Sequence, residues 1–203
     1  MKNRISLLGI ITILVIIGFG FIACKDDESC NADCLAIGAA GEGGGKIIYH
    51  DHAGFNVAGL GTCHYLEAAP VNQATEVTWS STYVYVTSAM GTAIGTGKAN
   101  TAAIIAVHSG DTASNNAAKA AVAYTGGGKN DWFLPSKDEL NEMYKAKSHL
   151  GISTAGIDHW YWSSSQRDVN NGAWGQHFDS GSQGNYNTMV VNVDGKVRAV
   201  RAF

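Results

Sequence analysis

Trp132-Phe133-Leu134-Pro135-Ser136-Lys137-Asp138-Glu139-Leu140 is the stretch that decides how the chain folds. Pro135 has no backbone N–H and ends an extended run. Ser136 with Glu139 three residues later is the pattern of a reciprocal helix cap, in which each side chain accepts the other residue's backbone N–H. An apolar extended segment therefore passes directly into a helix starting at Lys137. The helix is expected over residues 137–147, with Leu140, Met143 and Tyr144 on one face and Lys137, Glu142 and Lys145 on others.

Outward from this stretch, apolar residues recur at helical spacing over 100–108 and 117–124. Asn100 is the expected cap of the first helix, and Gly126-Gly127-Gly128 the stop after the second. Lys46-Ile47-Ile48-Tyr49 reads as a short strand. Residues 188–193, the turn pair Asp194-Gly195 and residues 196–203 read as a terminal hairpin. Arg198 and Arg201 are expected on opposite faces of its second arm, one paired with an acid and the other in solvent. Residues 151–187 are mostly Gly, Ser, Asn and aromatic, which predicts turns held by aromatic anchors rather than continuous strands. The fold class expected is α+β, with short antiparallel strands, two or three helices and long irregular loops.

At the N-terminus, Lys2 and Arg4 precede an apolar run over residues 5–22, which closes on Ala23-Cys24 before Lys25-Asp26-Asp27-Glu28. A positive start, an apolar segment and a small residue before cysteine are the parts of a bacterial lipoprotein signal. Phe21 stands where such signals usually carry Leu. An uncleaved membrane span is the rival reading, since the run just reaches the roughly 20 residues that cross a bilayer. The expected organisation is a signal peptide over 1–23, a flexible tether over 24–44 and one domain over 45–203, exported to the cell envelope and held at the outer face of a membrane by lipid on Cys24. Cys30 and Cys34 in the tether suit a small loop disulfide in an oxidising exterior, and a metal pair is the weaker alternative.

A domain of this length buries roughly 70% of its unfolded surface, enough for a single core. From Lys46 onward eleven Lys and Arg face twelve Asp and Glu, without a basic cluster, which argues against a nucleic-acid partner. The 25 glycines against two prolines point to a fold in which glycine supplies the turns.

Trp132–Leu140 read together with Tyr161-Trp162-Ser163-Ser164-Ser165-Gln166, Ala173-Trp174 and Val197-Arg198-Ala199-Val200-Arg201 resembles the Lcl C-terminal domain family, a domain of unknown function named after a collagen-like adhesin. Cys63-His64-Tyr65-Leu66-Glu67-Ala68-Ala69-Pro70 and residues 93–101 resemble the version found in spirochaete lipoproteins. The resemblance covers residues 44–203. The Leu-Pro-Ser-x-x-Glu element is also similar to one in formylglycine-generating-enzyme domains. The resemblance implies a C-type-lectin-like fold in which first and last strands meet and irregular loops present a binding face. It also implies a cysteine partner for Cys63 where this chain has Ala120-Ala121-Val122. Lacking it, Cys63 either reaches Cys30 or Cys34 or is a buried free thiol, the preferred reading.

The chain has no cysteine after Cys63, which removes the reactive residues that the formylglycine-generating enzymes need. Gly95-Thr96-Gly97-Lys98 lacks the first glycine of a phosphate loop, and Ala99 replaces its hydroxyl residue, so a turn before a helix is expected. His50-Asp51-His52 offers two imidazoles on one strand face without a third ligand in view. Asn130-Asp131-Trp132 has the residues of a calcium tripeptide in reversed order but few acidic neighbours, and reads as a turn. No catalytic residue, metal or cofactor is therefore expected. Trp162 and Trp174 are expected to be buried anchors and Trp160 exposed. The expected binding set is Trp160, Asn170, Asn171, Tyr186 and Asn187, within a polar stretch over 166–192 that faces a host or cell-surface protein or glycan. A structural envelope lipoprotein without a ligand site is the alternative, and a hydrolase a weaker one.

Overall fold

Residues 34–82, 84–152, 160–167, 172–187 and 195–203 are described by a computed structural model, and Leu35–Phe203 forms one compact unit. Cys24, Cys30, Asn170, Asn171 and the first arm of the expected terminal hairpin lie outside the described residues. Among the described residues no helix is long and apolar enough to cross a membrane.

The apolar run at Lys46 continues past Tyr49 into a twelve-residue strand, β1 (Lys46–Val57), which folds back antiparallel on β2 (Gly61–Ala68) with two irregularities in register. The second arm of the expected hairpin is not one strand. It breaks at Arg198-Ala199 into β7 (Gly195–Val197) and β8 (Val200–Ala202), which belong to different sheets. β8 pairs with β2, so the first and last strands share a three-stranded sheet but flank β2 rather than meet. The break has a cause in the side chains. Arg198 turns inward to donate to the Ala69 carbonyl at 3.0 Å and to Asn72 Oδ1 at 2.7 Å, while Gln73 Oε1 accepts the Ala199 N–H at 2.5 Å. Both arginines are consequently buried, and the expectation that one is solvated is wrong.

The second sheet has five strands in the order β3 (Ala74–Val77), β7, β4 (Trp160–Gln166), β5 (Gly172–His177) and β6 (Gln183–Asn187). It is antiparallel except for the β4–β7 pair. Residues 160–187, expected as turns, thus supply three strands. Their polarity is absorbed by partners: Ser163, Ser164 and Ser165 are fully buried. Ser163 Oγ donates to the Trp174 carbonyl at 2.8 Å and Ser165 Oγ to the Gly91 carbonyl at 2.6 Å. The Ser163 carbonyl accepts Trp79 Nε1 at 2.8 Å. A buried hydroxyl costs little once it is bonded, so serine fills a strand that a purely hydrophobic pattern would not reveal.

Among the described residues three α-helices complete the α+β fold: α1 (Gly97–Val107), α2 (Ala117–Val122) and α3 (Lys137–Lys145). The cap of α3 is formed as expected: Ser136 Oγ accepts the Glu139 N–H at 3.3 Å and Glu139 Oε2 the Ser136 N–H at 2.6 Å. α1 begins three residues before Asn100. That residue is buried inside the helix and donates to the Gly91 carbonyl at 2.6 Å instead of capping it. The backbone N–H groups of Gly95 and Gly97 at the start of α1 are taken by the same Glu139 carboxyl.

Two apolar clusters form the core, and the decisive stretch divides them. Trp132 and Leu134 enter one cluster with Trp79, Ile104 and Trp162, the buried alanines of α2 and Ala103 of α1. Phe133 enters the other with Leu66, Leu140, Met143, Tyr161 and Phe178. Alternate residues of an extended segment face opposite sides, which is why three consecutive apolar residues serve two cores. Cys63 is a buried free thiol in the second cluster, and burial raises its pKa.

Candidate functional site

The edge strand β6 carries part of the expected binding set. Tyr186 pairs with Ala173 and Asn187 with Gly172 at the end of β6. Asn170 and Asn171 fall outside the described residues. Trp160 does not face solvent: it is buried edge-on against Trp162, 6.0 Å between ring centroids, and against His177 at 4.9 Å. Trp162 is the expected anchor, with Nε1 donating to the Val77 carbonyl at 2.8 Å.

Trp174, expected to be buried, is half-buried: part of its ring remains accessible. Lys137 Nζ lies 4.7 Å and the Arg167 guanidinium 5.4 Å from the centre of its ring. Such cation–π contacts contribute about 0.5–1 kcal/mol each where they are exposed. Glutamines fix the surroundings. Gln176 Nε2 donates to Asn141 Oδ1 at 2.9 Å, and Gln183 Nε2 to the Lys137 carbonyl at 2.9 Å, clamping β5 and β6 onto the first turns of α3. The result is an aromatic ring on β5, next to the edge strand, flanked by cations and amides. This chemistry suits carboxylate, sulfate or sugar hydroxyl groups.

A second feature is a cleft of about 460 Å³ between the outer face of α1 and residues 130–133. Ala102, Ile105 and Ala106 of α1 and Val122 of α2 form its walls, Trp132 its floor, and Lys98, Asn130 and Asp131 its polar edge. Both Asp131 oxygens are held by Arg201, at 3.0 and 3.1 Å. Burial pushes the Asp131 carboxyl up, but the Arg201 guanidinium and, at longer range, Lys98 outweigh it and hold it below the usual value. The carboxylate is therefore not available to a calcium ion. The phosphate-loop reading fails as well, because Glu139 already occupies the start of α1. Lys98 and Asn130 were each visible in a sequence motif, but nothing in the sequence announces that α1 brings them to one cleft.

Two further groups sit elsewhere. On β1, His50 and His52 meet edge to face at 4.2 Å and His50 stacks on Tyr65 at 4.5 Å; the third ligand that the sequence did not show is Cys34, whose sulfur lies within 4.8 Å of a ring nitrogen of each. Burial, then the neighbouring His52 and His64, lower the His50 pKa. At the end of α1, buried His108 has Nδ1 3.3 Å from Thr82 Oγ1 and 4.0 Å from Asp111 Oδ2, and its Nε2 has no hydrogen-bond partner among the described residues. Ser81 Oγ donates to Asp111, not to the imidazole. Serine, histidine and acid are thus together without the relay that would activate a nucleophile. They tie the loop after β3 to α1.

Compared with protein-family models and with curated proteins, the chain matches none.

Proposed function

We propose that the chain is an exported, lipid-anchored surface module with a C-type-lectin-like fold, which binds a macromolecular or glycan ligand and performs no catalysis. Lipid on Cys24 holds it at the outer face of a membrane. The fold reading is supported by the Leu134-Pro135-Ser136-x-x-Glu139 element forming its reciprocal cap, and by the first and last strands sharing one sheet within an α+β domain. The resemblance to the Lcl C-terminal domain family supports it from the sequence. The observation that carries the binding reading is Trp174: a large aromatic side chain, left partly accessible on β5 beside Lys137 and Arg167. Large aromatic and cationic side chains held on a rigid frame are where recognition energy concentrates. Screening the chain against immobilised glycans and cell-surface proteins, with Trp174→Ala alongside, tests the reading. Ligand retained by the wild type and lost by the variant supports it.

A further inference from the structure

The cleft beside α1 shares no residue with the Trp174 face and raises a separate question of ligand. We propose that it is a binding site for a small apolar acid, with a compact hydrocarbon or aromatic body ending in a single carboxylate. Three observations carry this.

The first is size. A volume of about 460 Å³ lies within the range of small-molecule sites. Divided by the share of liquid water per oxygen, it corresponds to about 15 non-hydrogen atoms. The second is the wall. Ala102 and Ala106 are one turn apart on α1 with Ile105 between them, and Val122 is exposed across from them. Trp132 closes the bottom with its ring held by Tyr124 edge-on at 5.0 Å, so the floor is rigid. A body that covers this surface removes apolar area from water without disturbing the fold.

The third is charge. Around the cleft each acid already has a cationic contact: Asp131 lies on Arg201, which also meets Glu67 at 3.3 Å and Glu42 at 3.6 Å, and Glu42 meets Lys129 at 3.1 Å, three carboxylates on two cations. Lys98 lines the cleft and forms no ion pair with any described residue, acting on Asp131 only at longer range. The Asn130 amide at the same edge is exposed and donates to no described residue. Of the two charged residues that line the cleft, Asp131 is thus held in an ion pair and Lys98 is not, and the lining adds one amide, that of Asn130. A carboxylate satisfies both Lys98 and this amide, whereas an amine meets only repulsion from Lys98 and an acid that Arg201 already holds.

The test uses the full chain in lipid nanodiscs with methyl-labelled Ala, Ile and Val. The probes are 3-phenylpropionate, the neutral 3-phenylpropionamide and the cationic 3-phenylpropylamine, at free concentrations fixed by dialysis. The carboxylate is expected to shift the methyl signals of Ala102, Ile105, Ala106 and Val122 saturably, with a dissociation constant in the millimolar range or below, as expected for so few atoms. The amide should bind about tenfold or more weakly, the loss of one charged contact, and the amine should not saturate. Lys98→Met should bring the carboxylate down to the amide's affinity. Ala106→Phe should abolish binding of both while leaving the signals of the far core in place. No saturable shift at these four methyls, equal affinity for acid and amide, or undiminished carboxylate binding by Lys98→Met would each overturn the proposal. Lys98 is a partly exposed helix residue, so its variant keeps the test decisive even if Ala106→Phe fails to fold.

Discussion

The Glu139 carboxyl accepts the backbone N–H of Gly95 at 2.8 Å across 44 residues of sequence, while its other oxygen closes the cap of its own helix on Ser136. One buried acid thereby terminates two helices, α1 and α3, and sets their mutual position. Gly97 completes the arrangement because a Cβ there would run into the Glu139 carboxylate and the backbone of Ser136 and Leu134.

Gly97→Ala is therefore expected to destabilise the fold by about 1–3 kcal/mol, the usual cost of overpacking, although alanine is the better helix former. Ser136→Ala removes one side of the cap and should cost about 1 kcal/mol. Denaturant unfolding of both variants against the wild type checks the pair. A Gly97→Ala chain as stable as the wild type would mean that α1 does not press on Glu139.

Burial pushes the Glu139 carboxyl from 4.5 up to about 7, against the N–H donors of Ser136, Gly95 and Gly97, which pull it down. The folded state thus keeps a proton that the unfolded chain has released. The stabilisation it contributes is complete below pH 4.5 and is lost as pH rises through about 7. His50 and His108 act in the opposite sense. Burial lowers both, so their contribution is present above the unfolded value of 6.5 and lost as pH falls. The measurement is accordingly a difference: wild type minus Glu139→Gln, by denaturant midpoint from pH 4 to 8. The difference should shrink steadily with rising pH, and a flat difference contradicts the assignment.

Trp160 and Trp174 should separate stability from recognition. Trp160→Ala empties a buried site and is expected to cost about 3–5 kcal/mol. Trp174→Ala removes a partly accessible ring with its two cation contacts and should cost clearly less. Thermal melting of both variants decides the order, and equal losses would show that Trp174 is a core residue after all.

Cys24 is expected to incorporate a palmitate analogue in metabolic labelling of growing bacteria, and Cys24→Ser to accumulate as an unacylated precursor. Absence of label in the wild type would leave the apolar run over residues 5–22 as an uncleaved membrane anchor.

The helix entry at Ser136 was legible because the cap is a local contact, made between residues three apart. The terminal arm was not, since the break at Arg198 depends on Ala69, Asn72 and Gln73, more than a hundred residues away in sequence. The strands over 160–187 were hidden for a related reason. Buried serines look like turn residues until their partners at Gly91 and Trp79 are in place. Trp160 is buried because it stands two residues from Trp162 on one strand and so shares its covered face, while Trp174 stays partly accessible on β5. Of the candidate sites, Lys98 and Asn130 were noticed singly, and only the packing of α1 joins them.

The central claim, a surface-binding module that reads its ligand at Trp174, is tested most directly by one comparison. Wild-type chain and Trp174→Ala, with melting curves recorded for both, are applied to the same immobilised glycan and cell-surface panel. Saturable binding by the wild type, reduced at least tenfold in a Trp174→Ala chain that remains folded, is the predicted result. Binding that survives Trp174→Ala at full strength, or a folded wild type that binds nothing on the panel, would contradict it.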